Sequence, residues 1–132
     1  MDRQIAHITL LVNDYDEAID FYTKKLHFKL LEDTVLSETK RWVIVSPSGS
    51  GGCSLLLAKA TGEEQRSRIG NQTGGRVFLF LYTDDFQTDY QNLIYNNIEI
   101  VREPSLQSYG SVAVFKDLYG NLWDLIEPGG RQ

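Results

Sequence analysis

Two side chains of this sequence are candidates for proton transfer, His7 and Asp124. His7 lies early in the apolar stretch 5–12, where an imidazole acts as a metal ligand, a general base or a hydrogen-bonded core group. Asp124 stands in Leu-Trp-Asp-Leu-Ile, so its carboxylate faces either solvent or a cleft with a partner, because burying it alone is costly. If the two side chains meet, they form a proton acceptor near neutral pH.

The single cysteine, Cys53, is a weaker candidate for chemistry. One thiol excludes an intrachain disulfide, and a nucleophilic cysteine needs a base beside it. The surrounding Gly-Gly-Cys-Ser-Leu-Leu-Leu supplies no base. We therefore expect Cys53 to be a small buried hydrophobic residue.

Aromatic residues and one arginine are candidates for binding a ligand. The aromatic residues either stack against a ligand in a cleft or pack in the core. Arg76, beside a glycine-rich connector, either meets an anionic ligand or is an exposed arginine without a role. Glu127 is expected to be a solvated residue at the end of a strand. The aromatic candidates are Trp42, Phe78, Phe80, Tyr109 and Trp123.

The elements that position these residues begin with a strand over residues 5–12, whose dense apolar pattern predicts that both faces are covered. Asn13 and Asp14 then supply a helix N-cap. Apolar residues at helical spacing predict a helix that packs on a sheet by one face. It ends at His27 and Phe28, and strands follow over residues 29–35, 41–45 and 53–59.

The second half of the chain repeats this order. Asp84 or Asp85 caps its helix, and superposing the halves places Asp14 on Asp85. We therefore predict one α+β domain over residues 1–132, built from two tandem βαβββ modules. Module 1 covers about 1–60, a linker with a short surface helix covers about 61–75, and module 2 covers about 76–132. The predicted elements of module 2 are strands 77–82, 98–102, 111–115 and 122–126, and a helix to about residue 96.

The composition and charge of the chain limit the classes of partner that it can bind. The net charge of −5 over 132 residues gives no basic face for a nucleic acid. No apolar run has the length of a membrane span, and the amino terminus lacks the regions of a secretory signal. These features predict a soluble cytoplasmic protein with a small-molecule ligand, no nucleic acid and no membrane partner.

Several motifs together are similar to those of the vicinal-oxygen-chelate superfamily, which contains glyoxalase I, bleomycin-resistance proteins and extradiol dioxygenases. They are the histidine in the first strand, the Asp-capped helix with Phe-Tyr and a Leu-x-Phe exit, and three motifs near the carboxyl end. The resemblance implies two modules whose curled mixed sheets surround a cleft, often completed by a second subunit, and hence a homodimer. The carboxyl-terminal motifs are Tyr109-Gly110, Phe115-x-Asp117-x-x-Gly120-Asn121 and Trp123-Asp124-Leu125.

The resemblance also implies where a metal ion binds, with one ligand from the first and last strand of each module. His7 and Asp124 fall on two of these four positions. The third is Phe78 or Val77 and the fourth is Ser54 or Leu56, so at most three side chains are able to bind a metal. A complete zinc or iron centre is not expected. A divalent ion (Zn, Ni, Fe or Mn) held weakly by His7 and Asp124 stays open.

Two functions follow, and the sequence does not decide between them. One is a lyase or isomerase of the glyoxalase type that uses His7 and Asp124 as catalytic residues, with a weakly held metal. The other is a metal-free protein that binds or sequesters a small organic molecule, similar to bleomycin-resistance proteins. In either case the predicted ligand-binding residues are Trp42, Ser54, Arg76, Phe78, Tyr109 and Trp123.

Overall fold

The computed structural model describes residues 1–48 and 51–129. The chain divides into two compact units, Met1–Ile69 and Gly70–Gln132. Each unit contains a four-stranded mixed sheet. Among the described residues, no helix has the length and apolar character that crossing a bilayer requires.

The first unit follows the predicted order of strand, helix and three strands. Its sheet has the order β1-β4-β3-β2, with β1 parallel to β4 and the other pairs antiparallel. The helix continues beyond α1 as a π-helical turn over Phe21–Lys25. The elements are β1 His7–Val12, α1 Tyr15–Asp20, β2 Lys29–Val35, β3 Arg41–Ser46, β4 Ser54–Lys59 and α2 Gly62–Ser67.

Asp14 starts α1 as predicted. Its carboxylate accepts a hydrogen bond of 2.8 Å from the backbone N–H of Glu17. This bond satisfies a donor that the first helical turn leaves without an intrahelical partner. At the other end, His27 takes a left-handed conformation (φ 61°), which stops the helix and turns the chain into β2.

One face of the first sheet is packed and the other is partly open. Leu10 and Val12 of β1 are fully buried, as is Leu57 of β4, and α1 packs against β3 and β4. Thr9 and Leu11 alternate with these residues on β1 and are more exposed. Because strand side chains alternate, the helix-covered face forms the core and the opposite face stays partly open.

The second unit has the same topology, with the sheet order β5-β8-β7-β6 and β5 parallel to β8. Its helix begins at the predicted cap, Asp85, whose carboxylate accepts from the backbone N–H of Thr88 at 3.2 Å. The repeated α+β modules are thereby confirmed. The elements are β5 Leu79–Tyr82, α3 Phe86–Tyr95, β6 Ile100–Gln107, β7 Gly110–Lys116 and β8 Leu122–Pro128.

Four expectations were wrong. The first strand is not covered on both faces, because Thr9 and Leu11 lie on a partly open face. The strand predicted to end at residue 102 continues to Gln107 and meets β7 in a tight hairpin at Gly110. Glu127 is not a solvated end residue, because its carboxylate accepts from the backbone N–H of Phe86 at 2.8 Å. Cys53 is exposed rather than buried, because it precedes β4 and lies outside the sheet.

Candidate functional site

His7, Ser54 and Trp42 lie near one another in the first unit. The parallel register of β1 and β4 sets His7 opposite Ser54. The ring of Trp42 meets the imidazole edge-on, with 6.2 Å between ring centroids and an interplanar angle of 79°. His7 is exposed, whereas Ser54 is buried. Three sequence-predicted site residues are therefore neighbours on one sheet.

A cavity of about 520 Å³ lies on the partly open side of this sheet. Thr9 and Leu11 of β1 and Leu56 and Ala58 of β4 form its floor, and Trp42 lines it from β3. His7 and Ser54 are not among its lining residues. The remaining lining residues have polar side chains, apart from Leu57. They are Tyr15, Thr39, Lys40, Arg41, Leu57, Lys59, Thr61 and Gln65.

Arg41 fixes one wall of this first-unit cavity. Its guanidinium donates to Asp33 at 2.7 and 3.1 Å and to Asp16 at 3.0 Å. It also lies over the ring of Tyr15, 5.1 Å from the centroid. The hydrogen bond to Asp33, aided by Asp16, raises the pKa of Arg41 despite its partial burial. Its charge is therefore neutralised by the protein itself.

The second unit carries a cavity of about 420 Å³ on the face of its sheet that bears Asp124. The register places Asp124 between Phe80 of β5 and Val114 of β7. Arg76 and Arg102 also line this cavity. The remaining lining residues are Gly75, Val77, Val101 and Leu122.

Asp124 is half-buried in the second-unit cavity. Burial raises the pKa of its carboxyl group, and the positive charge of Arg102 opposes part of that increase. A carboxyl group with a raised pKa holds a proton more readily than an exposed one does. Asp124 is therefore suited to accept a proton or to take part in a hydrogen bond with a ligand.

Trp123 lies on the opposite face of β8 from Asp124. It is 3% exposed and stacks on Phe115, with ring centroids 5.8 Å apart. Strand alternation sends successive side chains to opposite faces, so Trp123 lies in the core of the second unit. Of the two alternatives given for the aromatic residues, Trp123 follows the second and packs in the core.

Phe78 and Tyr109 lie outside the residues that line the second-unit cavity. Phe78 precedes β5 and donates its backbone N–H to the carbonyl of Leu122 at 2.9 Å. Tyr109 lies in the hairpin turn before β7 and is 55% exposed. His7 and Asp124 belong to different units, so their pairing stays a prediction.

The turn before β8 aims the strand that carries Asp124. The carboxylate of Asp117 accepts from the backbone N–H groups of Tyr119 and Asn121, both at 2.9 Å, and from the Asn121 amide at 2.8 Å. Asp117 and Asn121 are both buried. Gly120 takes φ 99°, which a residue with a side chain rarely adopts. Asp117 and Gly120 therefore close a tight turn that leads directly into β8.

The sequence profile of the Glyoxalase/Bleomycin resistance protein/Dioxygenase superfamily matches residues 4–125. The chain belongs to this superfamily. An uncharacterized protein of Shewanella frigidimarina is 61% identical to it, covering 100% of this chain and 98% of the relative. The Bacillus subtilis protein YurT is 28% identical, covering 94% of this chain and 98% of YurT.

Two solved structures are similar to this chain over almost its whole length. The crystal structure of UcmS2 has a TM-score of 0.82 at 28% identity, covering 96% of this chain and 99% of UcmS2. TnmS3, an antibiotic binding protein from Streptomyces sp. CB03234, has a TM-score of 0.78 at 27% identity, covering 97% of this chain and 98% of TnmS3.

Donor atoms are only partly present at the metal-binding positions that the resemblance implies. Phe78 and Leu56 carry no atom that binds a metal ion, which leaves His7, Asp124 and the hydroxyl of Ser54. Within the described ranges, no three His, Cys, Asp or Glu side chains are grouped so that they suit a metal ion. This donor set does not fit a closed zinc site or a non-haem iron site.

Sequence reasoning missed Arg102 and the apolar floor of the first-unit cavity. Arg102 enters the second-unit cavity because the pairing of β6 with β7 shifts register on either side of it. A bulge of this kind changes which side chains face the cavity, and no local motif announces it. Leu11 was detectable only as a strand residue, since the alternation of β1 is obscured by its dense apolar pattern, and Leu56 was named only as an alternative metal position.

Proposed function

We propose that this protein binds a small organic molecule, without a metal ion, in the first-unit cavity. The observation that carries the proposal is the cavity of about 520 Å³ with an apolar floor and Trp42 in its lining. Ligand sites are concave, mostly apolar and equipped with a few polar groups that orient the ligand. Lys40, Lys59 and Gln65 supply polar groups of that kind.

The chemistry of the lining favours a ligand with an aromatic or alicyclic body. Leu11 and Leu56 provide apolar contact area, and the indole of Trp42 adds a large polarisable surface. The likeness to TnmS3, an antibiotic binding protein, supports binding as the activity, since it extends over 97% of this chain. Binding rather than turnover also accords with the missing donors at Phe78 and Leu56.

A neutral fluorescent probe tests the proposal. N-phenyl-1-naphthylamine brightens on entering an apolar site, and titration into the full chain gives its dissociation constant. We expect Trp42→Leu and Leu11→Gln to weaken binding about 5- to 20-fold, as loss of buried apolar contact predicts. Trp42→Phe keeps an aromatic ring and is expected to retain most of the affinity.

Leu106→Gln is the matched control for Leu11→Gln. Leu106 is 82% exposed and lies on β6 of the second unit, outside the first-unit cavity. Circular dichroism confirms that each variant is folded. Equal probe affinity in the original protein and in both cavity variants contradicts the proposal, and so does the absence of probe binding.

A second candidate function is proton-transfer catalysis of the lyase or isomerase type with His7 and Asp124. The raised pKa of Asp124 in the second-unit cavity favours it. In this case, a ketone with an acidic C–H bond, dissolved in D2O with the protein, loses that proton to the protein base and takes up a deuteron from the solvent. We expect NMR to detect the exchange, and we expect Asp124→Asn and His7→Gln to abolish it. Exchange at the uncatalysed rate contradicts this function.

The proposal includes the cytoplasm as the place of action and a homodimer as the assembly. A lone exposed thiol, Cys53, suits a reducing compartment. The apolar side chains of β2 that remain exposed on the single chain, Leu31 and Val35 among them, support a second copy as partner.

A further inference from the structure

We propose that the second-unit cavity binds an organic anion, whose acidic group lies between the guanidinium groups of Arg76 and Arg102 and whose ring lies against Phe80. The two arginines come from different segments, the loop before β5 and strand β6, and both line the same cavity. The first-unit cavity shares no residue with this one. The inference therefore goes beyond the proposed function.

The two arginines place two positive charges beside one carboxylate, Asp124, whose pKa burial raises and the charge of Arg102 in part lowers. Within residues 1–48 and 51–129, neither guanidinium forms a salt bridge, whereas Arg41 binds two carboxylates and Arg68 lies 3.8 Å from Glu64. The chain carries a net charge of −5, so carboxylates are in excess. Two arginines that line one cavity without forming a salt bridge to a described residue can donate to a ligand, and guanidinium groups match the planar geometry of a carboxylate.

An apolar surface lies next to these charges. Phe80 is 59% exposed although it lies within β5. Val101, Val114 and Leu122 contribute further apolar area to the same cavity. Phe80 and both arginines line one cavity, with Asp124 and Val114 between Phe80 and Arg102 in the sheet. The volume of about 420 Å³ suits a ligand with one or two rings.

Asp124 limits which anions fit. Among the described lining residues it is the one carboxylate, and it stands between Phe80 and Val114 in the sheet. When ionised, it repels a second negative charge on the ligand, and it also accepts a hydrogen bond from a hydroxyl or amine. The preferred ligand class is accordingly an aromatic monocarboxylic or monosulfonic acid rather than a dianion.

The test uses a pair of probes that differ in charge and share one ring system. We expect isothermal titration of the full chain to give at least about 5-fold tighter binding of 2-naphthoate than of neutral 2-naphthamide, as contact with cationic groups predicts. Arg102→Gln and Arg76→Gln are each expected to weaken 2-naphthoate binding about 10-fold and to leave 2-naphthamide unchanged. Phe80→Ala is expected to weaken both probes.

Arg66→Gln is the matched control, because it removes the same charge from α2, outside this cavity. Arg102→Lys keeps a charge without the planar fork and serves if Arg102→Gln fails to fold. We expect it to recover part of the affinity for 2-naphthoate. Raising the salt concentration is expected to weaken 2-naphthoate alone.

Three results overturn the inference. They are equal affinity for the two probes, unchanged 2-naphthoate affinity in both arginine variants, and no detectable 2-naphthoate binding. Trp42→Leu separates this inference from the proposed function. If Trp42→Leu weakens 2-naphthoate while the arginine variants do not, the first-unit cavity binds the probe and the anion site is wrong.

Discussion

The chemistry of Asp124 is set by the position of its carboxyl group on β8. Alternation along the strand places it on the cavity face, with Trp123 on the core face. Burial favours the neutral form, and Arg102 partly restores the charged one. The burial that raises the pKa of Asp124 also lowers the stability of the folded state when the carboxyl group is ionised.

Asp124→Asn is expected to raise the stability of the protein at pH 7. The folded pKa of Asp124 lies above its unfolded value, so the unfolded chain releases the proton first as pH rises. Stability from this group is complete below its ordinary pKa of about 3.9 and is lost as pH rises through the folded pKa. We expect thermal denaturation to show a Tm gain of about 1–4 °C at pH 7.

The gain in Tm is expected to shrink towards pH 3, where Asp124 is protonated in both the folded and the unfolded state of the original protein. Asp84→Asn is the control, because Asp84 is an exposed residue just before α3 and lies outside the second-unit cavity. A gain that is equal at pH 3 and pH 7 contradicts the origin assigned to it.

Asp117→Ala is expected to be the more damaging substitution. It removes the buried acceptor for two backbone N–H groups and the Asn121 amide. Loss of charged hydrogen bonds that leaves buried donors unsatisfied costs about 2–4 kcal/mol. Urea denaturation measures this free energy. Asp117→Asn keeps one acceptor oxygen and is expected to lose less, whereas equal losses in the two variants contradict this account of the turn.

At the scale of elements, both units begin their helices with an aspartate that follows a strand. Asp85→Ala removes the acceptor for the N–H and hydroxyl of Thr88, and we expect it to cost about 1 kcal/mol of unfolding free energy in urea. Asp85→Ser keeps a capping oxygen and is expected to retain most of the stability. If Asp85→Ala has the same unfolding free energy as the original protein, the carboxylate of Glu127 suffices to cap α3.

These caps explain why the elements were predictable from the sequence. Asp14 and Asp85 act on N–H groups three residues away, so the signal lies within one short window. The repeated order of strands and helices then fixed the fold. The extension of β6 to Gln107 was not predictable in this way, because it depends on pairing with β7 after two register shifts.

The candidate site was predicted less completely than the fold for the same reason. Asp124 and Arg76 were named from local sequence, and both line the second-unit cavity. Arg102 was not named, since its place follows from the bulged pairing of β6. Trp123 was named as a ligand residue, although large aromatic side chains in strands pack in cores as readily as they line clefts.

At the scale of the whole molecule, β2 is an edge strand with exposed apolar side chains. It pairs with β3 on one side, and Leu31 and Val35 are 46% and 72% exposed. An apolar edge of this kind promotes association. The register shift between Leu30 and Glu32 disfavours extension of the sheet by strand pairing, so a partner is expected to pack on these side chains instead.

We therefore expect light scattering on the full chain to give twice the monomer mass. Val35→Glu is expected to raise the dimer dissociation constant at least about 10-fold, because the new carboxylate would be buried in an apolar contact. Lys29→Glu on the same strand is the control for an added carboxylate and is expected to have a much smaller effect. A monomer at all concentrations, or an unchanged constant in Val35→Glu, contradicts dimerisation through β2. Val35 lies on the same sheet as the proposed ligand cavity but does not line it. If the dimer forms by another surface, Val35→Glu is therefore expected to leave N-phenyl-1-naphthylamine binding intact.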